Sequence, residues 1–134
     1  MFISNKEKLN FFMEEYFSQT YAIDKVWRVW DKKNDIIFEV SAFDGKIRLG
    51  FIGNIGEERK GNASLALDWL CSLADKHKVS ISLGVDPIKS FVFKTGSKNS
   101  GLTKTQLKQW YEKRRFKSVS NKQNEMIRDF QILI

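Results

Sequence analysis

The chain is poor in the residues that build covalent and metal frameworks. Its 134 residues include one cysteine, one histidine and one proline. A lone Cys71 cannot form an intramolecular disulfide or furnish a cysteine zinc site, and it suits a reducing compartment. With only His77 beside it and no cluster of carboxylates, metal-dependent hydrolysis lacks a ligand set, so no metal site is expected. The N-terminus lacks the basic region and apolar run of a signal peptide. No apolar run approaches the length that spans a bilayer. Internal repeats, linkers and low-complexity stretches are missing too. The expectation is one soluble, cytoplasmic domain, residues 1–134, with no membrane partner.

What is present is a core and an uneven charge. An apolar fraction of 42% with 13% aromatic residues is enough to fill the interior of one domain. Residues 1–58 hold 8 basic and 10 acidic residues, whereas residues 59–134 hold 15 and 6, a net charge of +9 in that half. A basic half suggests an anionic partner: a nucleotide cofactor, a nucleic acid or an acidic protein. The plainer reading is a basic surface that only keeps the protein in solution.

Periodicity divides the chain into elements. Ser4 to Ala22 reads as an amphipathic helix, with Ser4 and Glu7 as a capping box and Leu9, Phe12, Met13, Tyr16 and Phe17 on one face. Three strands follow, Val26 to Asp31, Ile36 to Phe43 and Lys46 to Ile55, joined by the polar turn at residues 32–35 and the Asp44-Gly45 hairpin signal. They form an antiparallel meander. Ile36, Phe38, Val40 and Ala42 share one face of the second, and Ile47, Leu49 and Phe51 one face of the third. Gly50, Gly53 and Gly56 suggest a bulge, a bend or the close approach of another backbone or a ligand.

Asn62 to about His77 is a strongly apolar helix with Ala63, Ala66, Leu67, Leu70, Leu73 and Ala74 inward and Asp68, Ser72, Asp75 and Lys76 toward solvent. His77, in its last turn, reads as structural or exposed. Val79 to Val85 alternates as a strand, and strand–turn–helix–strand order makes it parallel to the strand before the helix. Residues 88–101 form a long loop in which Lys89, Lys94 and Lys98 are interleaved with Phe91 and Phe93, the make-up of a contact surface or a flap. Thr103 and Gln106 open a helix to about Arg115 that carries Leu107, Trp110, Tyr111 and Arg114 on one face. Residues 116–120 and 125–130 read as a terminal hairpin. The apolar end, Gln131-Ile132-Leu133-Ile134, either extends the last strand or seeks a partner chain, which suggests a homodimer.

The chain is organised around the turn Glu57-Glu58-Arg59-Lys60-Gly61-Asn62-Ala63-Ser64. It joins a strand to a helix and turns backbone N–H groups and the positive end of the helix dipole outward, where an anion such as a phosphate can sit. Arg59 and Lys60 add charge, and Gly61 and Ala63 keep the approach open.

With that turn, the block from Leu102 to Phe116 (Leu-Thr-Lys-Thr-Gln-Leu-Lys-Gln-Trp-Tyr-Glu-Lys-Arg-Arg-Phe) and Met126-Ile127-Arg128, the chain resembles the GNAT family of N-acetyltransferases over roughly residues 26–130. The likeness is to the small acetyltransferases of bacterial and phage genomes, which would put a phage-encoded version in the host cytoplasm. The resemblance implies an α+β (α/β) fold: a mixed sheet of an antiparallel meander plus a central parallel, splayed strand pair, with helices on both faces. It implies acetyl-CoA as acetyl donor and an amine of a small molecule or a protein as acceptor. Arg59, Lys60, Gly61, Asn62, Ala63 and Ser64 match the turn that wraps the pyrophosphate. Ile52, Gly53, Asn54 and Ile55, opposite Ile81 to Val85, match the strand edge that pairs with the pantetheine arm. Tyr111 matches the tyrosine that protonates the departing thiolate; spacing alone favours a core aromatic with a hydrogen-bonded hydroxyl, and the resemblance reverses that preference. The chain departs from the pattern at Glu58, where Gln or Arg is usual, and at Arg115, where glycine is common. The family's first strand is not read in the sequence. No general base is singled out among Glu39, Glu57, Glu58 and a water chain. A catalytically silent protein of the same fold that binds nucleic acid or a host protein is the alternative.

Overall fold

The computed structural model describes residues 3–55, 61–85, 103–120, 122 and 124–132. Helix α1 (Asn5–Ser18) starts where the Ser4 hydroxyl accepts the Glu7 N–H, and its residues Leu9, Phe12 and Tyr16 are buried. It stops earlier than its apolar pattern suggests. The Thr20 hydroxyl donates to the Tyr16 carbonyl at 2.8 Å, and the Arg28 guanidinium donates to the Thr20 hydroxyl and to the carbonyls of Phe17 and Thr20. With the helix-end carbonyls satisfied, the chain turns out into β1 (Thr20–Ala22). This edge strand, which the sequence assigns to the tail of the helix, pairs antiparallel with β2 (Arg28–Trp30).

Strands β3 (Ile36–Phe43) and β4 (Lys46–Asn54) complete the meander. Their hairpin has positive φ at both Asp44 and Gly45, the primed turn that matches strand twist. Helix α2 (Asn62–His77) crosses over to β5 (Ile81–Gly84), which lies parallel to β4. Helix α3 (Lys104–Glu112) then leads to the hairpin β6 (Lys117–Ser118) and β7 (Glu125–Arg128). Among the described residues the sheet order is β1-β2-β3-β4-β5-β7-β6, and β4–β5 is its one parallel pair. The protein is therefore an α+β fold built on a mixed sheet, an antiparallel meander joined to a central parallel pair.

The helices form one layer with α2 in the middle. On one side, Trp69 donates to Gln19, and Lys76 and His77 both meet Glu15 at 2.8 Å. On the other, Trp110 donates to the Ser64 hydroxyl and Arg114 to Asp68. All three helices feed a single core with Ile36, Phe38, Val40, Ile47, Leu49, Ile81, Leu83 and Met126 of the sheet. The sequence suggests helices on both faces; the described ones share one face, because Trp110 and Arg114 tie α3 to α2 on that side. The opposite face carries a smaller cluster of Val29, Ile37 and Phe51, with Trp27 and Ile55 packed against it.

Two details anchor this layer. Asp75, which periodicity leaves to solvent, accepts both Arg128 Nη1 and Nη2 at 2.8 and 3.0 Å and the Gln131 N–H at 2.7 Å. Helices α2 and α3 both end in a six-to-one carbonyl closure. Val79 donates to Ala74 and Phe116 to Tyr111, which forces Lys78 and Arg115 to φ values of 56° and 71°. Ile132 is exposed, and the last two residues of the apolar end lie outside the described residues. No helix among the described residues is long and apolar enough to cross a membrane.

Candidate functional site

The site grows from one glycine. Glu39 pairs with Phe51 and Val40 with Leu49, so Gly50 is an extra residue in β4, a bulge. It reverses which way the following side chains face. Ile47 and Leu49 enter the core under the helices, whereas Phe51 joins Val29 and Ile37 on the other side. The expectation that Phe51 shares a face with Leu49 is thereby corrected: strict alternation fails across the inserted residue.

The parallel ladder stops at the same level. Ile47, Arg48 and Leu49 pair with Ile81, Ser82 and Leu83, and the pairing goes no further. Beyond that point β4 continues to Asn54 against β3 only. The other arm follows β7 through Gly84 opposite Glu125, and then Val85 donates to the Asn124 carbonyl at 2.6 Å. The two parallel strands thus part as a fork. The sequence places Ile52–Ile55 opposite Ile81–Val85; the bulge and the short ladder instead put Ile81–Leu83 opposite Ile47–Leu49. Ile52, Gly53 and Asn54 therefore lie along the open arm, with no β5 partner among the described residues. Ile55 follows, its N–H bound to the Asp35 carbonyl at 2.7 Å. At the base of the fork Arg48 reaches past Ser82 to grip Glu125 with two bonds of 2.8 and 3.0 Å, clamping β4, β5 and β7 together. These bonds hold the Glu125 carboxyl below its ordinary pKa.

Helix α2 begins after the end of β4. Gly61 has φ 76°, a left-handed conformation open to glycine, and no side chain among the described residues caps the helix there. The N–H groups of Asn62, Ala63 and Ser64 are thus claimed by no described side chain. The Asn62 amide is spent on Asp35 at 2.8 Å, and the Ser64 hydroxyl accepts from Trp110, so these side chains pin the turn to the sheet and to α3. Sequence reasoning missed Asp35, which it read as part of a polar turn. Its Oδ1, like the Asn54 Oδ1, is buried without a hydrogen-bond partner among the described residues, and its carboxylate lies beside the positive end of α2. Arg59 and Lys60, with Glu57 and Glu58, lie outside the described residues, as does the loop at residues 88–101.

Tyr111 is buried on α3 between the rings of Trp110 and Phe116. Burial, and next the neighbouring Cys71, raise its pKa well above the ordinary phenol value. No hydrogen bond or ring contact joins it to β4 among the described residues. Cys71 is itself pushed up to about 11, chiefly by burial, so it is a neutral thiol packed in the core. His77 is taken up by Glu15 and by an edge-on contact with Phe12, the structural role its position suggests. Glu39 differs from all of these. It is half-buried, makes no hydrogen bond or ion pair with a described residue, and its Oε1 lies 2.6 Å from where a Cβ on Gly50 would stand. A free carboxylate therefore rests against the bulge at the point where the fork opens. No family model, curated protein or solved structure matches the chain.

Proposed function

We propose that this protein is an N-acetyltransferase that moves the acetyl group of acetyl-CoA to an amine of a small molecule or a protein. The observation that carries the reading is the fork in the parallel pair, opened by the Gly50 bulge and followed by an uncapped helix start at Gly61. A strand edge at Ile52, Gly53 and Asn54 with no β5 partner among the described residues suits the amides of a pantetheine arm, and the first turn of α2 suits its pyrophosphate. Arg59 and Lys60 supply further charge at that turn.

The chemistry follows from those placements. The acceptor enters as an ammonium and loses a proton to Glu39, the unpaired carboxylate at the bulge. Its nitrogen then bonds to the thioester carbon while the carbonyl oxygen takes up negative charge. Backbone N–H groups of β4 near Gly50 stabilise that oxygen. The carbon–sulfur bond breaks, and the thiolate takes the proton of Tyr111, whose raised pKa keeps it protonated at neutral pH; the second proton, shed by the nitrogen as the amide forms, restores the phenol, and Glu39 releases the first to solvent.

Calorimetry with acetyl-CoA is the test. Saturable binding is expected for the intact chain, and Gly61→Glu, which sets a carboxylate in the anion position, removes it. Glu39→Gln keeps the binding and lowers amine transfer by roughly 10²–10⁴. Absence of heat at millimolar acetyl-CoA, with Gly61→Glu indistinguishable from the parent, rules the activity out.

A further inference from the structure

We infer that the outer side of α3 and the strand after it form a docking surface for the phosphate backbone of a nucleic acid. Lys104, Lys108, Lys113, Arg115 and Lys117 are all exposed, and none forms an ion pair with a described carboxylate. Residues 103–118 contain one carboxylate, Glu112, so this charge is not neutralised from within the element. The remaining cation, Arg114, is turned inward to Asp68.

These charges are not explained by the needs of the helix. Lys104 is its first residue, in the turn where the dipole disfavours cations, Lys108 stands at its middle, and the first turn holds no acid. The capping box of Thr103 and Gln106 already secures that end. Nor does the surface offer a protein partner an anchor. Its other exposed helix positions are Thr105, Gln106, Gln109 and Glu112, while Leu107, Trp110 and Tyr111 pack into the core. A protein interface concentrates its affinity in buried aromatic and aliphatic groups. A phosphate backbone needs only spaced cations and polar donors, and it rewards them through release of counterions. The surface owes nothing to the fork or the turn at Gly61, so it stands whether or not the chain transfers acetyl groups.

The test is fluorescence anisotropy of the full chain with a labelled mixed-sequence DNA duplex of about 20 base pairs, between about 25 and 200 mM salt. Five phosphate contacts predict a log–log salt slope of about −4.5. Lys104→Gln with Lys108→Gln lowers that slope by about 2 and weakens binding on the order of 100-fold at about 50 mM salt. Lys6→Gln with Lys25→Gln, an equal change of net charge at exposed positions elsewhere, leaves binding within a few-fold of the parent. Melting curves confirm that both variants are folded. The inference is overturned by absence of binding at the lowest salt, or by equal losses in the two double variants. Complete displacement of the duplex by poly-glutamate at equal charge overturns it as well, since that surface would be reading acidic polypeptide.

Discussion

Replacing Arg115 by glycine should stabilise the protein, and the reason lies in the backbone. The closure of α3 through Phe116 and Tyr111 holds Arg115 at φ 71°. An L-residue with a Cβ pays roughly 1–2 kcal/mol to sit in that left-handed region. Glycine avoids the strain but loses about 0.5–1 kcal/mol through the greater freedom of its unfolded chain. The difference leaves a net gain of roughly 0.5–1 kcal/mol, about 3 °C in melting temperature for a domain of this size. No contact is given up, because the Arg115 side chain is exposed and makes no ion pair with a described residue. Arg115→Ala separates the causes: it removes the same cation and keeps the strain, so it should melt with the parent. Urea denaturation and calorimetric melting of the parent and both variants measure this. If the glycine variant is no more stable than the alanine variant, the strain argument is wrong.

The remaining predictions address the core and its charges. Asp75→Asn should cost about 3–5 kcal/mol in urea unfolding, because it strips Arg128, a side chain 6% exposed, of its ionic partner; a loss below about 1 kcal/mol would mean the pair is not a buried one. Tyr16→Phe should leave stability unchanged or raise it by about 1 kcal/mol, since the fully buried Tyr16 hydroxyl has no hydrogen-bond partner among the described residues; a clear destabilisation would show that the hydroxyl is satisfied. Acid should weaken the fold. Glu15 is held below its ordinary value of 4.5 by hydrogen bonds from Lys76 and then His77, and Glu125 by Arg48. A carboxylate depressed in the folded state contributes stability that is present above 4.5 and lost as the pH falls through the folded value. Unfolding free energies at neutral pH and across the range below 4.5 should therefore decline toward acid, and Glu125→Gln should flatten part of that decline.

Most of the architecture was legible from the order of elements, because periodicity and turn chemistry act over a few residues at a time. The span of α2, the capping box of α3 and the parallel placement of β5 all follow from such local signals. What stayed hidden depends on contacts between distant segments. Thr20 belongs to a strand because Arg28 reaches its carbonyl, and Asp75 is an anchor because Arg128 arrives from β7. For the candidate site, the glycines of β4 signalled an irregularity without saying which residue was the extra one. Gly61 was read as keeping the approach to the turn open, whereas its left-handed φ shows only in the folded chain. Glu39 stood out as a charge in an apolar strand, one of several candidate bases, but Asp35 carried no signal of its own: a carboxylate in a turn reads as solvated until the opposing backbone is known.

The bulge at Gly50 makes β4 incommensurate with its neighbours. A strand can stay in step with a partner on each edge only if all three advance by the same number of residues. β4 spends one more than β3 over the same length. With no matching extra residue in its ladder, β5 keeps pace up to Leu83 and then has no registered site to bind. The opening between the parallel strands is therefore a matter of residue count before it is one of side-chain chemistry. Deleting Gly50 would restore the count, leave Phe51 beside Glu39 on one face and Ile52 beside Phe38 on the other, and invite the ladder to continue where the fork now stands. Gly50→Ala keeps the count, so it should leave the fork in place and displace only the Glu39 carboxylate, whose Oε1 lies 2.6 Å from the new Cβ.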